Sequence, residues 1–116
     1  MDEITSLQAS VLKVLAHPRR LEILHELADG PREVGAIAAR VGATQPNVSQ
    51  HLALLRAAGI VDAERDGREV RYRLADPDVL RACTIMRGVL ARRLARLAGL
   101  SGSPMERPVT ALSTPR

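Results

Sequence analysis

Aromatic side chains are nearly missing from this sequence. Of 116 residues one is tyrosine, Tyr72, and none is tryptophan or phenylalanine. Any core must therefore be built from Leu, Val, Ile and Ala, a palette that leans towards helices. Cysteine is scarce as well: Cys83 stands alone, which excludes an intrachain disulfide and suits a reducing cytoplasm. No apolar run is long enough to span a bilayer, and the N-terminal MDEITSLQ holds acids where a signal peptide would hold bases. The length suits one domain with a modest core, near the size at which a partner subunit helps.

Lysine is the remaining scarcity. Sixteen of the seventeen basic residues are arginine, Lys13 being the exception. Arginine pairs flat with phosphate or guanine, although such a skew also follows from genome composition. The net charge of +4 is unevenly spread. Residues 1–75 carry ten bases and ten acids, whereas residues 76–116 carry seven bases against three acids and supply the whole excess. Basicity of this size tilts the reading only modestly towards nucleic acid.

What is present is a run of periodic segments. Leu7, Val11, Leu12, Val14 and Leu15 form a helical stripe that ends before HPRR. Pro18 suits the first position of a second helix with His17 as its cap, and Leu21, Leu24, Leu27 and Ala28 are expected to face one way until DGP closes it. Val34, Ile37, Ala38 and Val41 mark a short third helix stopped by Gly42. Thr44 then reads as an N-cap, with Gln45 and Pro46 in the first turn of a fourth helix that buries Val48, Leu52 and Leu55 and ends at Gly59. The period next falls to two: Ile60, Val61, Val70, Tyr72 and Leu74 alternate with polar residues around RDGR, a hairpin signal centred on Asp-Gly. Asp76 caps a last helix with Pro77 at its first position. Its seam runs Val79, Cys83, Met86, Leu90, Leu94, Leu97. After Gly99 the character changes, since nine of the residues 101–116 are Ser, Thr, Pro or Gly. That tail reads as disordered, leaving residues 1–100 as the folded domain.

A short helix, a tight turn, a second helix with small polar residues at its start and then a hairpin make a winged helix-turn-helix, mostly α in the order α-α-α-α-β-β-α. Packing of Val34, Ile37 and Val41 against Val48, Leu52 and Leu55 would leave Pro46, Asn47, Ser49, Gln50 and Ala53 outside. Such short side chains can approach base edges in a major groove. The capped start at Thr44 is expected to offer free N–H groups to a phosphate. Arg65, Arg68 and Arg71 on the hairpin could reach the neighbouring backbone or minor groove. Independently, the last helix sets its apolar seam opposite Arg81, Arg92 and Arg96, so one side wants a partner and the other water.

The stretches LKVLAHPRRLEILHEL, IAARVGATQPNVSQHLALLRAAGIV and RDGREVRYRL resemble the ArsR/SmtB family of bacterial winged-helix repressors, over about residues 8–98. The resemblance implies a homodimer joined by the first and last helices that blocks an operator, an inverted repeat in double-stranded DNA, until an inducer weakens binding. Leu7 and Val11 would contribute to that interface together with Val79, Cys83, Met86, Leu90, Leu94 and Leu97. By match to the motif, Gln45, Ser49 and Gln50 would contact DNA, assisted by Asn47 and the wing arginines. Two positions depart from the pattern and bear on operator preference: Gln50, where many relatives carry a base, and Pro46, where several carry serine.

The same residues bear on other functions. His51 with Ser49 is not a catalytic pair, because the two lie on different faces and no third group orients them; no enzyme activity is expected. In metal-sensing relatives a thiolate pair would fall at Glu33 and Gly35, with Ala36 in place of the accompanying acid. The zinc-type site of the last helix would have only Asp76 and Asp78. His17, His25 and His51 show no ligand spacing. No metal or cofactor is therefore expected, and the inducer is left unknown. Cys83 reads as a small buried hydrophobe of the seam, the alternative being a thiol or redox switch. Arg87, Arg92, Arg93 and Arg96 read as a solvated face, since a narrow seam without Trp or Phe does not dock on membranes. The expected location is the cytoplasm, on the nucleoid when bound to DNA. A winged helix that pairs with another protein and has no DNA binding is the competing class.

Overall fold

Capping residues and turn glycines divide the chain as the sequence suggests. The computed structural model describes residues 2–100, in the order α1 (Glu3–Leu15), α2 (Pro18–Glu26), β1 (Arg32–Glu33), α3 (Val34–Val41), α4 (Gln45–Ala57), β2 (Val61–Asp66), β3 (Glu69–Leu74) and α5 (Pro77–Leu100). His17 caps α2, its Nδ1 accepting from the Arg19 N–H at 3.1 Å with Pro18 following. Thr44 caps α4, its Oγ1 accepting from the Asn47 N–H at 3.2 Å. Gly42 ends α3 in the left-handed conformation with φ 70°, where a Cβ would be strained, and the Ala43 N–H then donates to the Ala38 carbonyl. The tail at 101–116 lies outside the described residues.

The chain divides after Pro77 into two units. In the first, α2 packs on α3 and α4, α3 packs on α4, and α4 also meets α1 and β2. The core consists of Leu15 from α1, Ile23, Leu24 and Leu27 from the α2 region, Ile37 and Ala38 from α3, Val48, Leu52 and Leu55 from α4, and Ile60 and Val61. Two expectations are corrected here. On α2 the buried face is Ile23, Leu24, His25 and Leu27, while Leu21 is half-buried and Ala28 exposed. On α3 the packing comes from Ile37 and Ala38, with Val34 and Val41 only half-buried at the edges. Both helices are short, so one residue of phase moves a side chain from rim to centre. His25 is the one polar residue in this buried set. Its Nδ1 lies 2.8 Å from the Leu21 carbonyl, to which it must donate, and its Nε2 is buried without a partner.

The sheet has three strands in the order β1-β3-β2, all antiparallel. Periodicity predicts only the hairpin; β1 adds Arg32 opposite Tyr72 and Glu33 opposite Arg71. A two-residue strand carries no periodicity, which is why it left no signal. The β2–β3 ladder runs to Asp66 opposite Glu69, so the turn is Gly67–Arg68 instead of being centred on Asp66–Gly67, and Gly67 takes φ 67°.

The second unit is α5, from Asp78 onwards. Asp78 pairs with Arg81 one turn later. Among the described residues no helix is long and apolar enough to cross a membrane.

The phase of α4 is testable. Leu52 is wholly buried and its neighbour Leu54 is 47% exposed. Leu52→Ala is expected to lower the unfolding free energy by about 2–5 kcal/mol. Leu54→Ala should cost less than about 1 kcal/mol, being at the surface. Urea denaturation of both variants checks the difference.

Candidate nucleic-acid interface

Burial of Val48, Leu52 and Leu55 orients everything else on α4. Gln45, Pro46, Asn47, Ser49, Gln50 and Ala53 are all exposed, and four of them carry side chains able to donate or accept hydrogen bonds. Pro46, Asn47, Ser49, Gln50 and Ala53 are the outer face expected from the periodicity, and Gln45, which the family motif implies, is exposed beside them. The helix start offers less than expected to an anion. Pro46 has no N–H and that of Asn47 is taken by Thr44, which leaves Thr44 and Gln45 as the available backbone donors. The Thr44 hydroxyl is itself engaged as the cap.

The wing separates its arginines. Register and alternation place Val61, Ala63 and Arg65 on one face opposite Leu74, Tyr72 and Val70. On the other face Asp62, Glu64 and Asp66 stand opposite Arg73, Arg71 and Glu69. Arg71, on the central strand, is thus flanked by three carboxylates, Glu33 and Glu64 across its two ladders and Glu69 at 3.4 Å, and Arg73 lies 4.0 Å from Asp62. Arg68 occupies the exposed turn, and among the described residues neither Arg65 nor Arg68 forms an ion pair. The structure therefore groups Arg65 and Arg68 at the wing tip and sets Arg71 apart on an acid-balanced face.

Comparison with known proteins adds to this geometry. The family model described as bacterial regulatory protein, arsR family, matches residues 17–63, from the cap of α2 into β2. The uncharacterized HTH-type transcriptional regulator Rv0081 of Mycobacterium tuberculosis is 41% identical over 95 residues, covering 81% of this chain and 83% of the relative.

The chain belongs to the arsR family of bacterial regulatory proteins.

The crystal structure of Rv0081 superposes with a TM-score of 0.73 at 39% identity, covering 84% of this chain and 99% of that one. The winged helix-turn-helix DNA-binding domain of Mb0332 from Mycobacterium bovis, homodimeric in its solution NMR structure, gives 0.73 at 38% identity and covers 80% and 86%. The biofilm growth-associated repressor of Agrobacterium fabrum is 45% identical over 73 residues, covering 63% of this chain and 62% of the relative. The fold of this arsR-family regulator is accordingly the winged helix-turn-helix.

Within this arsR-family chain, three arginines serve the scaffold. Arg20 donates from Nη1 to the Val14 carbonyl at the end of α1, Arg32 from Nε to the Glu26 carbonyl at the end of α2, and Arg19 to the Val41 carbonyl at the end of α3. Each cation meets the negative end of a helix dipole and satisfies an orphan carbonyl. Arg20 also reaches α4, where its Nε donates to His51 Nδ1 at 3.2 Å. The His17 ring packs on His51 with centroids 4.6 Å apart. His51, half-buried, is thus a structural anchor of α4 between two residues of the α2 region. No local pattern around His51 signals this contact, since its partners lie more than thirty residues away. Among the described residues no group of three or more His, Cys, Asp or Glu gathers as metal ligands would. Cys83 is half-buried, and that burial pushes its thiol above the ordinary value, the direction that lowers thiolate content.

Burial, then the neighbouring His17, Arg20 and Arg19, holds His51 below its ordinary value of 6.5. The unfolded chain therefore binds this proton more readily than the folded one. Stability from this site is full above about pH 6.5 and is lost as pH falls from there through the lower folded value. Glutamine can still accept from Arg20 but does not titrate. His51→Gln is expected to flatten the loss of stability below that pH in denaturant titrations; parallel curves for the two proteins would contradict it.

Proposed function

We propose that this chain is a homodimeric repressor of transcription. It binds an imperfect inverted repeat in double-stranded DNA, with half-sites about one helical turn apart or a multiple of it. The observation that carries this reading is the division of α4 into a wholly buried stripe and an exposed polar face. On that face Gln45, Asn47, Ser49 and Gln50 read base edges through hydrogen bonds, as amides and hydroxyls do in a major groove. Thr44 holds the helix start in place. Arg65 and Arg68 at the wing tip neutralise phosphates beside the groove, and Arg71 contributes less because Glu64 and Glu69 offset its charge.

Dimerisation uses apolar surface that α1 and α5 each leave open. Leu7 on α1 and Met86, Leu90, Leu94 and Leu97 on α5 are all exposed, with Val11, Val79 and Cys83 half-buried. Ile4, Ile85 and Val89 add to this open surface and were not assigned from sequence. Exposed apolar side chains in such number on a small chain favour a partner, and the homodimeric Mb0332 domain supports a second copy in that role. The chain acts by binding, without enzyme activity, in the cytoplasm and on the nucleoid when it holds DNA.

Fluorescence anisotropy with DNA from upstream of its own reading frame tests the proposal. Affinity should fall steeply with salt as condensed cations are released; no binding even at low salt would point to a protein-interaction module instead. Gln50→Ala is expected to relax preference at one base pair of each half-site by about 1–3 kcal/mol. Arg68→Ala should weaken all sequences alike, and a base-specific loss there would contradict the role given to the wing.

A further inference from the structure

Gly35 is a glycine that the backbone does not require. It is the second residue of α3, and it is absent from the glycines that adopt positive φ, Gly30, Gly42, Gly59 and Gly67. Alanine would favour the helix more. The space beside it gives the reason for glycine. A Cβ at position 35 would lie 2.7 Å from Nε2 of Gln45, well inside contact distance, with Gln45 Cδ at 3.8 Å. The carboxamide of Gln45, the first residue of α4, therefore rests directly against the backbone of α3 across the turn.

We infer that Gly35 is a positioning residue for DNA reading: by lacking a side chain it seats the Gln45 carboxamide in one orientation at the start of the recognition helix. The inference rests on α4 being that helix. A carboxamide discriminates bases by presenting its donor and its acceptor together, so the orientation of the amide plane matters as much as its position. A free glutamine has three torsions to settle, and contact with α3 removes part of that freedom before DNA arrives. The atom that a Cβ would displace is the far end of a flexible chain, which can swing away without moving α3 or α4. Gly35→Ala should thus preserve the fold while unseating the amide, a separation that a purely structural glycine would not show.

Two measurements on the full chain test this. In nitrogen–proton correlation spectra of free protein, Gly35→Ala should shift the side-chain amide pair of Gln45 while leaving those of Gln8 and Gln50 in place, with the melting temperature unchanged or raised. An unmoved Gln45 pair overturns the inference without reference to DNA. In binding to a library of operator variants, Gly35→Ala should cut discrimination about tenfold at the base pair where Gln45→Ala does so. It should add nothing in the Gln45→Ala background. An unaltered profile, or an equal change in that background, overturns the inference even if Gln50→Ala confirms that α4 reads bases. If neither Gln45→Ala nor Gln50→Ala alters the profile of bound DNA, the α4 reading itself fails. Should Gly35→Ala not fold at all, the claim that only a flexible side-chain end is displaced is wrong and the inference falls with it.

Discussion

The packing of α3 against α4 sets the rotation of the helix that faces outwards, and the rest of the molecule depends on it. Ile37 and Ala38 on one side and Val48, Leu52 and Leu55 on the other are all buried. Each large apolar side chain contributes about 1.5–3 kcal/mol by leaving water. Turning α4 by one residue, about 100°, would bring Ser49 and Ala53 inwards and expose Leu52. Several kcal/mol would be lost, and the Ser49 hydroxyl would need a buried partner. The small polar residues face out because the apolar ones cannot. Arg20 and His17 add a second hold on the same helix through His51, and the Thr44 cap fixes where it begins.

Charge plays a different part from the one its total suggests. The first seventy-five residues are neutral overall, and several of their arginines point at protein. Arg19, Arg20 and Arg32 each close the carbonyl end of a helix, Arg40 pairs with Glu26, and Arg71 sits between glutamates. These part-buried hydrogen bonds from guanidinium to carbonyl contribute more than neutral ones, up to about 1.5–3 kcal/mol each, whereas the exposed ion pairs of the wing contribute little. That leaves Arg65 and Arg68 as the wing arginines without an ion pair among the described residues.

Much of this was legible in the sequence, for identifiable reasons. Helix caps are local, so His17-Pro18 and Thr44-Gln45-Pro46 announced their helices without help from the rest of the chain. The thirteen residues of α4 span several turns, long enough for Val48, Leu52 and Leu55 to declare the buried face and hence the outer one. Shorter elements were harder. The nine residues of α2 misled by one position, and the two of β1 had no period at all. Contacts across the fold were invisible: nothing near His51 indicates Arg20, and nothing near Gly35 indicates Gln45. The wing shows both limits together. Alternation located its strands, but only the register revealed that Arg65 and Arg71 lie on opposite faces.

Which surface meets DNA is the deciding question. An NMR titration of the full chain with DNA from upstream of its own reading frame would locate that surface directly. Backbone and side-chain shifts should concentrate at Gln45, Asn47, Ser49 and Gln50 and at the wing tip from Arg65 to Arg68, with the amides of Leu52 and Leu55 little changed. Shifts confined to the α5 stretch around Ile85–Leu97, with the start of α4 undisturbed, would contradict it.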